Sequence, residues 1–295
     1  MPRVHSDEGD NFPLDKCPLG GLYYNGFRHI SSCLSPHQKK MSKSLKIGVV
    51  GLGNVGWNLV HRLDSKGYDV QQIVAKKNDH RKKLAKTLDA DLIKSVSELD
   101  KKLDLIFLCI PDDQLQETAS SIDSKSALIH CSGSTSLLDK ELSGVFYPFQ
   151  TFTKFFAAEW KGVPIFIEGN DKALRDMLLK IANNLSGNAN EVSFEQRQAI
   201  HMSGVFGANF VNHILFLAKS ILDEKNIDFA VLEPLLEETV RKAFEHSPAG
   251  SQTGPARRGD NQMISKHLEL LKNAGNLSEY YKMFSDDISS TYKKS

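Results

Sequence analysis

The sequence predicts an α/β protein, in which a parallel sheet wound with helices is followed by an all-helical C-terminal domain. Three observations carry that prediction. A short apolar run, Lys46 to Val50, ends in Gly51-x-Gly53-x-x-Gly56 and passes directly into the helical pattern of Trp57 to Lys66. A continuous apolar run, Leu103 to Ile110, has the composition of a strand buried on both faces of a parallel sheet. From Ser193 the alternation of strand and helix stops, and a long apolar helix runs to about Glu224. The chain therefore divides into residues 1–44, 45–192 and 193–295.

Length and charge narrow the classes. The 295 residues suffice for two domains with a full core. The 37 Lys and Arg against 36 Asp and Glu leave a formal net charge of +1, so bulk charge points to neither nucleic acid nor an anionic membrane. The longest apolar stretch, Val205 to Ala218, is interrupted by Asn209, Asn212 and His213, and the expectation is a soluble, cytoplasmic protein with no membrane partner. Cys17, Cys33, Cys109 and Cys131 show no CxxC and no His/Cys ligand spacing, so no metal site and no disulfide framework is expected. Cys109 reads as a small core residue in a reducing compartment. Residues Met1 to Lys40, rich in Gly, Pro, Ser, His and charge without any period, read as a disordered extension or an upstream start, with Met41 the natural beginning.

The turn after the first strand calls for glycine three times. Gly51 makes the turn, Gly53 lets backbone approach a pyrophosphate, and Gly56 packs helix on strand. Phosphate charge then sits on the free N–H groups of Asn54, Val55 and Gly56 at the helix N-terminus, which makes residues 45–192 a Rossmann-type dinucleotide-binding domain. The second strand, Asp69 to Ala75, ends in Lys76-Lys77-Asn78, with Arg81 and Lys82 beyond, where an NAD site usually has a ribose-binding carboxylate. Cations at Lys76 and Lys77 suit a 2′-phosphate and favour NADP. Two alternatives stay open: these residues form only a solvated helix face, or Asp79 serves as the ribose acid and restores NAD.

A short strand near Leu92 and a helix from Ser97 precede the Leu103 to Ile110 strand, which Pro111-Asp112-Asp113 ends. Its carboxyl-end position places Pro111 near the nicotinamide half of a cofactor, although a helix cap alone would also explain the turn. Strand Ala127 to Cys131 leads into Ser132-Gly133-Ser134, whose hydroxyl and backbone donors suit a substrate carboxylate or carbonyl oxygen; Ser134 also reads as the N-cap of a helix over Ser136 to Leu142. Strand Gly144 to Phe149 is followed by Gln150-Thr151-Phe152-Thr153, polar groups between aromatics placed to wall a substrate pocket. Strand Val163 to Glu168, helix Lys172 to Leu185 and a short strand near Glu191-Val192 complete the first domain.

Ser193-x-x-Gln196 has the form of a capping box at the start of the long helix, the spine of the second domain. His201, Val205, Asn209 and His213 recur at four-residue spacing and share one side of it. A proton donor, His201, and an amide, Asn209, on one buried side suit a carbonyl or imine carbon; a hydrogen-bonded core or interface histidine is the plainer alternative. A helix over Asp228 to Glu245 ends at Ser247 to Gly250. In the loop Gln252 to Asp260, Arg258 is suited to hold a carboxylate or phosphate and Asp260 to cap the next helix. Helices Gln262 to Lys272 and Leu277 to Tyr292 follow.

Together the GLGNVG turn, the strand ending HCSGS, the YPFQTF segment, His201 with Asn209, and TGPARRGD resemble the bacterial Rossmann-like proteins with a C-terminal domain of unknown function, DUF2520. These are relatives of 6-phosphogluconate dehydrogenase, pyrroline-5-carboxylate reductase and the F420-dependent NADP oxidoreductases. The resemblance covers about Leu45 to Tyr292. It implies an NADP-binding domain, a helical domain that makes a homodimer, and an active site in the cleft between them. The family pattern falls on Gly51, Gly53 and Gly56, on Ser132 and Gly133, on Pro148, Gln150, Thr151 and Phe152, on His201 and Asn209, and on Thr253, Gly254, Pro255, Arg258, Gly259 and Asp260. One departure is Tyr147, which stands where the family commonly has histidine, so that either Tyr147 substitutes or His201 supplies the proton.

The expectation is an NADP(H)-dependent oxidoreductase that reduces a small carbonyl or imine acid. His201 supplies the proton, and Asn209, Ser132 and the Arg258 loop orient the small-molecule substrate. The alternatives are an NADP-binding sensor or regulatory protein without turnover, and an enzyme that pairs NADP with a deazaflavin.

Overall fold

The computed structural model describes residues 45–154 and 158–292; the segment Met1 to Lys40, with Cys17 and Cys33, lies outside the described residues. Strands β1 (Lys46–Val50), β2 (Asp69–Val74), β3 (Asp91–Ile93), β4 (Leu105–Leu108), β5 (Ala127–His130), β6 (Ser143–Pro148), β7 (Ile165–Gly169) and β8 (Ala189–Glu191) form one sheet. Its order is β3-β2-β1-β4-β5-β6-β7-β8, parallel throughout except for the antiparallel pair β6 and β7. Strand order reverses between β1 and β4, which is where an open α/β sheet leaves a crevice at its carboxyl ends.

Helices α1 (Asn54–Ser65), α2 (Asp79–Thr87), α3 (Leu115–Ser121) and α4 (Lys172–Ser186) belong to the sheet domain. All four residues of β4 are buried, as its unbroken apolar run requires, because alternate residues serve opposite faces. Ile106 and Leu108 join Leu115 and Ala119 of α3 in one core cluster, whereas Phe107 meets Phe146 edge to face at 5.5 Å.

Two expected helices are absent. Ser97 lies in a single 3-10 turn, Val96–Glu98, closed by a capping box between Ser95 and Glu98. The stretch from Ser136 to Leu142 is irregular, because the Ser134 hydroxyl is drawn to Asp112 rather than capping a helix. Its Leu138 is buried, and the Leu138 N–H donates to Ser143 Oγ at 2.9 Å. Cys109 sits just past the end of β4, half-buried, with its Sγ 3.7 Å from that of Cys131, and not inside a strand as expected.

The capping box at Ser193 and Gln196 is formed. It opens α5 (Phe194–Gly204), which continues through a π-helical segment, Val205–Phe210, into α6 (Val211–Asp223). This spine of 30 residues is, by length and composition alone, apolar enough to cross a membrane, contrary to the sequence expectation, and its most apolar window is unburied. A 3-10 turn leads to α7 (Glu233–His246), followed by α8 (Pro248–Ser251), α9 (Pro255–Arg258), α10 (Asn261–Leu270) and α11 (Leu277–Thr291). Phe206, Phe216, Leu235, Phe244 and Leu270 are all largely exposed on these helices.

Candidate active site

Because β1, β4, β5 and β6 are parallel, the turns that follow them open on one edge of the sheet, and Gly51, Pro111, Ser132 and Gln150 stand on that edge. Gly51 has φ +93°, and a Cβ on Gly56 would lie 2.1 Å from the Gly51 carbonyl oxygen, so neither position admits a side chain. Gly53 is different: its Cβ direction is open, with the Cys109 carbonyl 3.9 Å away, and it starts α1 without a side-chain cap. The first-turn N–H groups of Asn54, Val55 and Gly56 are thus left to an external acceptor, and this cradle fits a dinucleotide pyrophosphate. The Asn54 side chain is otherwise engaged, its Oδ1 accepting from the Lys154 N–H at 3.2 Å.

Beside Gly51 opens a cavity of about 460 Å³, walled by Val74, Lys94, Val96, Ile110 and Gln114 among others. Lys94, just past β3, contributes a cation to that wall, whereas Lys76 and Lys77 lie outside it; all three are exposed. Asp79 begins α2 and pairs with Lys82 at 3.2 Å on the surface, and Asn78 caps the helix by accepting from Arg81 N–H.

Helix α5 lays His201 over the turn after β5. Its Nδ1 is 2.9 Å from Tyr147 Oη, and the ring packs so closely that a Cβ on Gly133 would lie 2.4 Å from Nδ1. Burial raises the Tyr147 phenol to about 12, with Asp112 adding to the rise and Arg197 opposing it. The phenol stays protonated at neutral pH and can donate to Nδ1 of the neutral imidazole, which places the ring proton on Nε2.

The Ser132 and Ser134 hydroxyls donate to one oxygen of Asp112, at 2.6 and 2.8 Å. Burial opposes ionisation of Asp112, but hydrogen bonds from Ser132, Ser134 and Thr135 together outweigh it and hold the carboxyl below its ordinary range. This corrects the expectation for the Ser132-Gly133-Ser134 turn: the hydroxyl protons are already engaged, and the turn presents a carboxylate in place of free hydroxyl donors.

Beneath the turn lies Arg197, which is 0% exposed. Its Nη1 donates to Ser132 O at 2.9 Å, and Nη2 donates to Thr135 O and to Glu168 Oε2 of β7, both at 2.8 Å. His130 is likewise buried, its Nδ1 accepting from the Ser132 N–H at 3.2 Å and its Nε2 3.1 Å from Ser136 O. Burial first, then the Arg197 charge, lower His130 to about 4, so the ring is neutral.

Other expected residues are not brought to His201. Asn209 falls in the π-helical segment and is exposed; i→i+5 turns there break the four-residue register, so the two do not share a buried side. His213 is exposed as well, stacked on Phe216. Gln150 and Thr151 are exposed, Gln150 Oε1 accepting from Thr151 N–H at 2.8 Å. Pro111 is exposed at the start of a 3-10 turn. Arg258 is exposed on α9, which packs on α10 and α11, and among the described residues no hydrogen bond or ion pair joins its loop to His201. Asp260 caps α10 as expected, accepting from Met263 N–H at 3.0 Å. The structure adds Arg197, Glu168 and Lys94. The one signal for Arg197 was its position a helical turn before His201, on the same face.

A family model described as NADP oxidoreductase coenzyme F420-dependent matches residues 46–132, and one described as domain of unknown function DUF2520 matches 163–288. Among solved structures, a candidate NADP oxidoreductase from Bacteroides fragilis is 30% identical with a TM-score of 0.77, over 84% of this chain and 98% of its own. A 1-pyrroline-5-carboxylate reductase from Streptococcus pyogenes shares the fold at 17% identity and TM-score 0.54, over 84% of this chain and 100% of its own. An imine reductase from Myxococcus stipitatus, solved in complex with NADP+, does so at 18% identity and TM-score 0.54, over 84% and 92%. A search of the curated proteins gave no match. The DUF2520 match begins ahead of the helical domain and takes in β7, α4 and β8 of the sheet; with it, the first family model and 30% identity across nearly the whole of a relative, the chain belongs to the NADP oxidoreductases in which a Rossmann-type region precedes DUF2520.

Proposed function

We propose that this chain is a cytoplasmic, NADPH-dependent reductase of a small acid bearing an imine or carbonyl group, working as a homodimer. The observation that carries the reading is the Tyr147–His201 pair, held against Gly133 on the sheet edge that also bears the glycine cradle. NADPH, when bound, supplies the hydride for the substrate carbon. The His201 imidazolium donates its Nε2 proton to the substrate heteroatom and is left neutral. Tyr147 Oη accepts from Nδ1–H both in the imidazolium and in the neutral ring left when the Nε2 proton has gone, and donates to Nδ1 only in the resting ring protonated on Nε2.

Asp112 favours the imine over the carbonyl. Its carboxylate, held ionised beside Ser132 and Ser134, stabilises the iminium formed as His201 protonates the imine nitrogen and repels the oxyanion that develops from a carbonyl. The exposed apolar residues spread over the spine, α7 and α10 support a second copy as their cover. That second copy is also the route by which Arg258, unjoined to the cleft of its own chain, reaches a substrate carboxylate.

Calorimetric titration of the full chain with NADPH and with NADH, followed by a screen of cyclic imino acids and 2-oxo acids for loss of nicotinamide absorbance, tests the reading. The expected result is NADPH binding with turnover of an imino acid, reduced about a hundredfold or more in His201→Ala. NADPH binding without turnover across the panel would leave a sensor or regulatory protein, and no NADPH binding would sink the proposal.

A further inference from the structure

A fully buried arginine is rare, and this one is placed where two elements of the cleft meet. Arg197 enters from α5, one helical turn before His201, and its guanidinium reaches the turn after β5 and the carboxylate of Glu168 on β7. The two carbonyls it holds, Ser132 and Thr135, bracket Gly133, the residue on which the His201 ring rests. We propose that Arg197 is the positioning residue of this cleft: by tying both ends of the Ser132–Thr135 turn to α5, it fixes Gly133 against His201 and thereby holds His201 Nδ1 within hydrogen-bond reach of Tyr147 Oη. Glu168 makes the arrangement tolerable by neutralising a charge that has no access to water. The planar fork matters as much as the charge. Two carbonyls and a carboxylate are met by three N–H directions set at fixed angles, which a lysine ammonium cannot reproduce.

The kinetic consequence rests on the reductase reading; the structural consequence does not. Arg197→Lys keeps the charge and loses the fork. The double variant Arg197→Met with Glu168→Leu removes the pair together and leaves no unpaired buried charge, which keeps the test open where a single truncation would not fold. Nitrogen-15 NMR of labelled histidine, read on the full chain without substrate, reports whether Nδ1 of His201 still shares a proton with a partner; Tyr147→Phe provides the reference for its loss.

The expected result for both variants is a folded protein that binds NADPH within about threefold of wild type, loses the Nδ1 signature, and reduces its substrate about a hundredfold more slowly, because displacements near 1 Å cost that much. The loss falls on kcat rather than KM. A His201 signature retained in both variants overturns the proposal even if no substrate is ever found. So does a kcat within twofold of wild type, or a parallel collapse of NADPH binding and melting temperature, which marks a general structural role. Wild-type protein without turnover, but with the NMR change in both variants, supports the positioning role while removing the reductase reading.

Discussion

His130 has both ring nitrogens engaged within the fold, Nδ1 with Ser132 N–H and Nε2 with Ser136 O, and no exposed surface. Burial first, and the nearby Arg197 charge second, disfavour the imidazolium, and the imidazole is accordingly held near 4 against an ordinary 6.5. Between these values the unfolded chain binds more protons than the folded one. Its stabilising contribution is therefore full above about pH 6.5 and is lost as pH falls towards 4. The shift corresponds to roughly 3 kcal/mol. Melting temperatures measured in steps across that window should fall for the wild type and fall much less for His130→Asn; parallel curves would move the acid sensitivity to other groups. Asp112, whose carboxyl lies below its usual range, adds its own loss at lower pH still. The glycine cradle was legible at this scale, because the positive φ of Gly51 and the clash of a Gly56 Cβ with the Gly51 carbonyl are set within a few residues, although Cys109 on the neighbouring strand's end also crowds Gly51. Arg197 was not: a charged helix residue reads as solvent-facing, and only Glu168 on a distant strand makes its burial possible.

At the scale of elements, caps translate well from sequence because they are local chemistry. Ser193 and Asp260, both expected caps, each accept a first-turn N–H of the helix they start; Asn78 and Asp171 do the same without having been singled out in the sequence. Ser134 failed as a cap because Asp112, from another turn, captures its hydroxyl. The same limit applies to the cofactor's cations. β2 ends at Val74, and Arg81 Nη1 donates to Lys76 O, folding the basic turn onto itself at the surface while Lys94 lines the cavity beside Gly51. The β3 edge is therefore a second place for a 2′-phosphate beside the end of β2. Lys94→Ala should weaken NADPH binding about tenfold and leave NADH binding nearly unchanged, the value of one charge-assisted contact. If the β3 edge is the site, Lys76→Ala with Lys77→Ala should change either by less than about threefold, because both lie outside the cavity wall. Calorimetry with both cofactors separates the two assignments, and the reverse pattern would restore the β2 lysines.

For the whole molecule, the apolar content of the C-terminal half was legible, but its destination was not. An apolar stripe in one chain does not say whether its cover lies in that chain or in another. Within the chain, Phe206, Phe216, Leu235 and Phe244 stay open to solvent on α7 and on the spine from α5 through α6. If a second copy covers them, folding and association are one equilibrium, and melting temperature rises with protein concentration. Sedimentation should give a dimer, and Phe206→Asp with Leu235→Asp should give a monomer that melts lower and independently of concentration. A monomeric wild type with a fixed melting temperature would remove the dimer, and recovery only in detergent would turn attention to a bilayer instead.

The π-helical segment Val205–Phe210 has a geometric consequence for such an assembly. Each residue of an α-helix advances about 100° around its axis, but a wide π turn takes up an extra residue with little net rotation, so deleting one residue here would restore α-helical winding and leave α6 near its present azimuth, whereas the same deletion within α6 would swing all that follows by about 100°. Arg197 and His201, upstream, would stay where they are. The wide turn thus works as a buffer of residue count, keeping the half of the spine that bears His201 and the half that faces outward in phase where a regular helix would pass every added or lost residue on as rotation.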